Sequence, residues 1–351
     1  MSLAKLTNRR INDHTCMTEA SAPGKIILCG EHAVVYGRPA IALPLADVRA
    51  HAIVHTGTAG SGITIDTPDL ERRWNLADMS DHPLSELVLS ILHHLGVDNT
   101  LDLLIELRAT IPIAGGMGSG AAIATALTRA LAAHLGHELS ANEISALVYT
   151  SEQRFHGTPS GIDNTVIAHE QPIWFVRPQS TLSGGPAVAA IPGPSVTATI
   201  EPISIAAPFT LLIGDTGVRS PTRLPVGQLR QRWQARPARY EARFDAIGAL
   251  VVQARATLAV SDLGALGALL DENHMLLQRI GVSSTKLNRL VGAARAAGAL
   301  GAKLSGAGWG GVMIALVAPP TLQHVEQALI NVGAVRVLKT TVAYHTVASN
   351  Q

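Results

Sequence analysis

The chain reads as an α+β protein of two domains, and three observations carry that reading. Its 351 residues suit about two domains, each with its own core. Strand-like and helix-like segments are mixed along it rather than alternating strictly, as separate α+β layers require. Between them, residues 178–208 hold six prolines and three glycines, the composition of a junction. The expected division is 15–205 and 206–351.

The elements follow in order. Met17–Leu28 reads as a strand interrupted at Pro23-Gly24, and Ala40–Leu45 and Arg49–His55 as two strands. Gly62–Thr67 reads as a short hairpin partner. Pro83–Leu95 is helical, and Leu101–Ile111 is a strand. Gly118–Leu135 is a helix of small and apolar residues ending at Gly136. Ser140 and Glu143 form a capping box for a helix over Ala141–Phe155. After the junction come a strand at Phe209–Asp215 and helical patterns at Pro225–Leu258, Asp262–Ile280 and Thr285–Ala297. Strands at Ala302–Ser305 and Val312–Leu316, a helix at Leu322–Val332 and a strand at Val335–Thr346 complete the pattern.

Composition excludes several classes. Hydrophobic residues make up 47% and charged residues 15%, the balance of a globular enzyme rather than a disordered chain. Aromatics are only 3%, so the core rests on Leu, Ile, Val and Ala. A net charge of +1 gives no global field for nucleic acid or a membrane surface. Cys16 and Cys29 alone make neither a disulfide framework nor a metal cluster. No apolar run is long enough to span a bilayer, and the first residues lack the apolar stretch of a signal peptide. The cytoplasm is the expected compartment.

Chemistry enters at Ile111–Leu127, IPIAGGMGSGAAIATAL. Gly115, Gly116, Gly118 and Gly120 precede a helix, so backbone N–H groups can approach a ligand closely. The helix adds unpaired N–H groups and a partial positive charge at the same point. Phosphate is the commonest anion at such a site, although the same loop also reads as a tight turn packing helix on strand. Gly116 to Ala121 also satisfies the loose dinucleotide pattern G-x-G-x-x-[GA]. That pattern requires an acidic residue at the end of the next strand, whereas Glu138 and Glu143 flank a helix start. A Walker A sequence, G-x-x-x-x-G-K-[ST], is absent from the chain.

Two further segments give the loop its specificity: SAPGKIILCGEHAVVYG at 21–37 and GAKLSGAGWGG at 301–311. With the central loop and Ser160-Gly-Ile-Asp163-Asn164, they resemble the GHMP small-molecule kinases, in the family's order. The motif at 21–37, followed by HGTPSGIDN at 156–164, most closely resembles the mevalonate kinase branch. Galactokinases carry a GEHTDY-like first motif, which Ala33-Val34-Val35 does not match.

The resemblance implies a two-domain fold: a ribosomal protein S5 domain 2-like N-terminal domain and a ferredoxin-like α/β sandwich. It implies an ATP-dependent, magnesium-using phosphotransferase acting on the 5-hydroxyl of mevalonate in isoprenoid precursor synthesis. Kinases of phosphomevalonate or another small hydroxy acid, and a non-catalytic binding protein on the same fold, are the alternatives. Phosphoryl transfer to an alcohol needs positioning, charge neutralisation and a group to manage the proton. By the resemblance, Asp163 is the base or the orienting group, and Lys25 its cationic partner. Glu152 matches the metal-ligating glutamate, with Ser119 as a further ligand. Gly115, Gly116, Met117, Gly118, Ser119, Gly120 and Ala121 face ATP. The substrate wall is expected from Lys25, Glu31, His32, Tyr36, Asp163, Thr222, Ser305, Gly306 and Ala307. Family members are often dimers, which implies a homodimer.

Two departures stand out. The usual central loop is G-L-G-S-S-A-A, and here Gly120 replaces the second serine and its hydroxyl. The usual third motif is T-G-A-G-G-G-G, and Trp309 replaces one glycine.

Overall fold

The computed structural model describes residues 17–112, 116–156, 160–177 and 198–342, excepting the side chains of 154–156. It divides into two compact units that do not follow a single cut in the chain. One gathers 17–25, 45–112, 118–156 and 160–170. The other gathers 26–44, 116–117, 171–177 and 198–342.

Two long strands, β1 (Met17–Cys29) and β2 (Pro39–Thr56), pair with each other and run through both units. The two strands expected at 40–45 and 49–55 are therefore one, and the break expected at Pro23-Gly24 does not occur. Among the described residues β1 has β2 as its single neighbour, and a strand with a free edge tolerates a proline.

In the first unit, residues Ala50–Thr56 of β2 pair antiparallel with β5 (Leu103–Ala109). The short β3 (Ile63–Thr67) runs parallel to β5 and forms a hairpin with β4 (Arg72–Asn75). Four helices pack in this unit: α1 (Pro83–Leu95), α2 (Ser119–His134), α3 (Ala141–His156) and α4 (Ile162–His169). Pro83 opens α1 and Gly96 ends it in the left-handed region, the asymmetry that chain chemistry favours. The Ser140 capping box forms as expected: Ser140 N donates to Glu143 Oε2 (2.8 Å) and Glu143 N to Ser140 Oγ (3.3 Å).

Helix α2 is buried almost all round through Ala121, Ala122, Ala124, Ala126, Leu127, Ala130 and Leu131, as its small apolar residues dictate. Its one arginine, Arg129, ties three elements together. It donates to Ser21 O on β1 and Ala168 O on α4, both at 2.8 Å. It also pairs with Glu170 just past α4, which Arg49 bonds through both carboxylate oxygens at 2.9 and 3.0 Å.

In the second unit, Pro39–Ala42 of β2 pair antiparallel with β6 (Ile173–Val176), which pairs with β7 (Thr199–Pro202). A separate antiparallel sheet has the order β11-β8-β10-β9, from β8 (Phe209–Asp215), β9 (Gly301–Ser305), β10 (Val312–Val317) and β11 (Arg336–Val342). The interior strand β10, VMIALV, is buried at every residue. This all-antiparallel sheet, with helices packed on it, matches the sandwich expected for the C-terminal half.

The helical pattern read through 225–258 is two helices, α5 (Arg223–Ala235) and α6 (Pro237–Val260). Pro237 disfavours helical geometry at the residue before it, and Arg236 sits at φ −146°, ψ 64°. Then come α7 (Leu263–Arg279), capped by Asp262, α8 (Thr285–Ala296), capped by Ser284, and α9 (Leu322–Asn331). Helix α7 lies directly on β9. A Cβ on Gly267 would stand 2.2 Å from Leu300 O, and one on Gly301 would stand 2.0 Å from Gly267 O. Only glycine at both positions allows that approach. Among the described residues no helix is long and apolar enough to cross a membrane.

Candidate active site

The first unit holds the charged chemistry. Lys25, near the middle of β1, places its Nζ 3.0 Å from Asp163 Oδ1 in the first turn of α4. Lys25 is buried while Asp163 remains about a third exposed, so the carboxylate is both paired and reachable. Helix α4 is fixed behind it. Asn164 Nδ2 donates to Ser145 O (3.1 Å) and Oγ (2.8 Å) on α3, and Thr165 Oγ1 to Gly161 O (2.7 Å). The Arg129 network holds the far end of the same short helix.

Glu152 lies on α3, buried. Burial pushes its carboxyl up to about 7, the charge of Asp163 adds to the rise, and Lys25 opposes it. The start of α2 belongs to the same group. Gly118 caps it at φ 72°, and a Cβ there would stand 3.0 Å from both Ile167 Cδ1 and Lys25 Cγ. Glycine is needed for the left-handed turn and for the approach to Lys25. A Cβ on Gly120 would lie 3.3 Å from Glu152 Oε1. The first helical bond runs from Ala122 N to Gly118 O at 2.9 Å, so the N–H groups of Ser119, Gly120 and Ala121 have no helical partner. A cation, two carboxylates and a helix N-terminus are thus gathered at one place.

Magnesium takes one or two carboxylates and completes its shell with water and substrate phosphates. Glu152 and Asp163, close enough for one charge to raise the other's proton affinity, are hard oxygen donors that fit this requirement. Among the described residues no cluster of three or more His, Cys, Asp or Glu forms a protein-only cage.

The second unit holds the GEH turn and the third glycine loop. A Cβ on Gly30 would meet Pro39 O at 2.5 Å, so the turn begins where only glycine fits. Glu31 is 1% exposed and pairs with Lys303 Nζ, itself fully buried and donating also to Leu304 O at 2.6 Å. His32 adopts φ 60°, and its Nε2 lies 2.9 Å from Ala307 O. A carbonyl can only accept, so Nε2 carries the hydrogen and Nδ1 is left as an acceptor. Burial pushes the imidazole down to about 4, against the Ala307 bond and with help from Arg232 and Lys303. Ser305 Oγ accepts from Ile27 N (3.1 Å) and donates to Ile27 O (2.9 Å).

Tyr36 packs away in an aromatic cluster, stacked on Phe244 at 4.2 Å and tilted against Trp233 at 5.1 Å. Burial raises its hydroxyl to about 12. Thr222 precedes α5 and is exposed, with no capping bond. Met117 is buried, Gly116 exposed, and Gly306 carries φ 91°. Gly115 lies outside the described residues.

Within the first unit the structure therefore gathers Lys25, Asp163, Glu152, Gly118, Ser119, Gly120 and Ala121. Within the second it gathers Glu31, His32, Ser305, Gly306 and Ala307. Sequence reading missed Lys303 as the partner of Glu31, Arg129 as the tie behind Asp163, and Arg232 near the third loop. A single arginine in an otherwise apolar helix was the available signal for Arg129. Nothing local marked the other two.

Comparison with known proteins follows the same division. The model of the GHMP kinases N terminal domain matches residues 84–170, and that of the GHMP kinases C terminal matches 253–334. A mevalonate kinase of Pyrococcus horikoshii is 33% identical over 338 residues, covering 90% of this chain and 93% of that protein. One of Pyrococcus abyssi is 34% identical over 330 residues, covering 88% and 91%. Among solved structures, L. major mevalonate kinase in complex with R-mevalonate is similar with a TM-score of 0.79 at 27% identity, covering 98% of this chain and 100% of that one.

Proposed function

We infer, because the chain belongs to the GHMP kinase family, that it is an ATP-dependent phosphotransferase acting on the 5-hydroxyl of mevalonate. The observation that carries the reading is the Lys25–Asp163 pair at 3.0 Å, set against the N-terminus of α2. Relatives named as mevalonate kinases align over nine-tenths of the chain, which supports mevalonate as the acceptor.

In this mechanism the unpaired N–H groups of Ser119, Gly120 and Ala121 receive phosphate oxygens of ATP, aided by the dipole of α2. The acceptor hydroxyl attacks the γ-phosphorus while Asp163 takes its proton, and the bond to the departing ADP oxygen breaks. Lys25 offsets negative charge on the attacking oxygen as it develops. Glu152 would hold magnesium, with Ser119 as a further oxygen donor. When bound, the metal supplies neutralisation of phosphate charge.

His32 offers a neutral Nδ1 acceptor to substrate, and Thr222, Ser305, Gly306 and Ala307 form the remaining wall. Glu31 and Tyr36 support that wall from behind, given their burial against Lys303 and Phe244. Magnesium, a cytoplasmic location and a homodimer belong to this proposal.

The test is ATP-dependent phosphorylation over mevalonate, phosphomevalonate, homoserine and galactose, with and without magnesium. Turnover on mevalonate above the others is expected. Turnover on another member reassigns the acceptor, and none on any overturns the enzyme reading.

A further inference from the structure

The residue that departs most from its motif is also among the most strained. Trp309 sits at φ 60° in a loop whose other left-handed positions, Gly306, Gly308 and Gly311, are glycines. An L side chain is disfavoured there, because Cβ crowds the following carbonyl. A strained residue persists only when its surroundings over-determine it, and here they do.

The backbone N–H of Trp309 donates to Val282 O at 2.9 Å, and its indole Nε1 donates to Gly281 O at 3.0 Å. One residue thus engages two consecutive carbonyls of the turn between α7 and α8. From the other side, Arg232 of α5 donates through Nη1 to Ile280 O at 3.0 Å. The backbones fit tightly: a Cβ on Gly308 would stand 1.9 Å from Val282 O.

The loop's ends are secured elsewhere. Ser305 is bonded to Ile27, Gly311 N donates to Val218 O at 2.8 Å, and Thr216 N donates to Gly311 O at 2.9 Å. Between those ends, the hydrogen bonds among the described residues are those of Trp309 to the turn and the one Ala307 O accepts from His32 Nε2. The indole is therefore the mid-span post of the loop that presents the Ala307 carbonyl.

We propose that Trp309 is a positioning residue: its indole latches the third glycine loop to the 280–282 turn and so holds Ala307 O where it orients His32. The role rests on the mevalonate reading above only for its kinetic consequence. The latch itself is a property of the loop. A glycine here would relieve the backbone strain and lose the latch, so stability and substrate recognition should separate.

The test uses Trp309→Gly and Trp309→Phe in the full chain. The phenylalanine keeps a ring but has no N–H to donate. For Trp309→Gly, KM for mevalonate should rise about tenfold while kcat and KM for ATP stay within about twofold, with an intermediate rise for Trp309→Phe. Amide hydrogen exchange across 306–310, read without substrate, should quicken in both. If Trp309→Gly does not fold, Trp309→Phe carries both readouts. Unchanged exchange in a folded variant overturns the latch. Faster exchange with an unchanged KM overturns the positioning role. If the unaltered protein turns over no mevalonate, the proposed function fails, and exchange still decides the latch.

Discussion

Restoring a serine at position 120 probes the phosphate site most directly. Gly120 is the second residue of α2, has no left-handed φ, and a Cβ there meets a single atom within 4 Å, Glu152 Oε1 at 3.3 Å. That atom ends a flexible side chain and needs to yield only a few tenths of an ångström. Serine in place of glycine gains about 0.5 kcal/mol in helix propensity. A hydroxyl bonded to the Glu152 carboxylate adds roughly 1 kcal/mol, less than is usual for a charged acceptor because Gly120 is exposed. We expect Gly120→Ser to be stabilised by roughly 1–2 kcal/mol, which raises Tm by about 2–8 °C in a unit of this size. Kinase rate titrated with magnesium at fixed ATP should reach half-saturation at about threefold to tenfold lower metal, the equivalent of about 0.7–1.4 kcal/mol. Scanning calorimetry and the titration decide it. A fall in Tm, or abolished activity, would refute the clearance argument and the placement of the metal beside α2.

Lys25→Met and Asp163→Asn should each lower kcat by about 10²–10³ with little change in nucleotide binding, since each removes charge aimed at the transition state; loss of ATP affinity instead would assign them to binding. Lys303→Met removes the cation paired with the buried Glu31 carboxylate and should cost about 3–5 kcal/mol in urea melts, whereas Lys303→Met with Glu31→Leu should recover most of it. His32 and His274, both buried and both pushed down to about 4, give acid sensitivity. The unfolded chain binds their protons near pH 6.5 and the native state does not, so their stabilisation is full above 6.5 and lost as pH falls towards 4. Each accounts for roughly 3 kcal/mol by that point. Melts at pH 7 and pH 4.5 should show the loss, and a flat profile between them would contradict the neutral assignment of both rings.

Local chemistry made much of this legible in advance. Pro83 and Gly96 bound α1, and Ser140 with Glu143 opens α3, because caps act within a turn of chain. In the first unit Lys25, Asp163, Glu152 and the start of α2 come together from segments that the sequence already singled out. What remained hidden depends on partners distant in sequence. Strand β3 runs parallel to β5, some forty residues on, and Lys303 meets Glu31 across 272 positions; neither leaves a periodic trace. The uninterrupted β2 and the split at Arg236-Pro237 were open to finer local reading. The first turns on the exposed Ala46-Asp47 step inside β2, where the buried run is interrupted, the second on the restriction a proline places on its predecessor.

The Gly267–Gly301 contact bears on how this protein can change. The space a Gly267 side chain would need is filled by the Leu300 carbonyl, and that of Gly301 by the Gly267 backbone, so neither a conservative replacement nor a compensating side-chain change reopens the space. In a library of single variants these two positions should tolerate as little as Asp163 does, although neither belongs to the proposed reaction. A designer seeking a new acceptor specificity would do well to leave that seam alone and vary the loop beyond Ser305 instead.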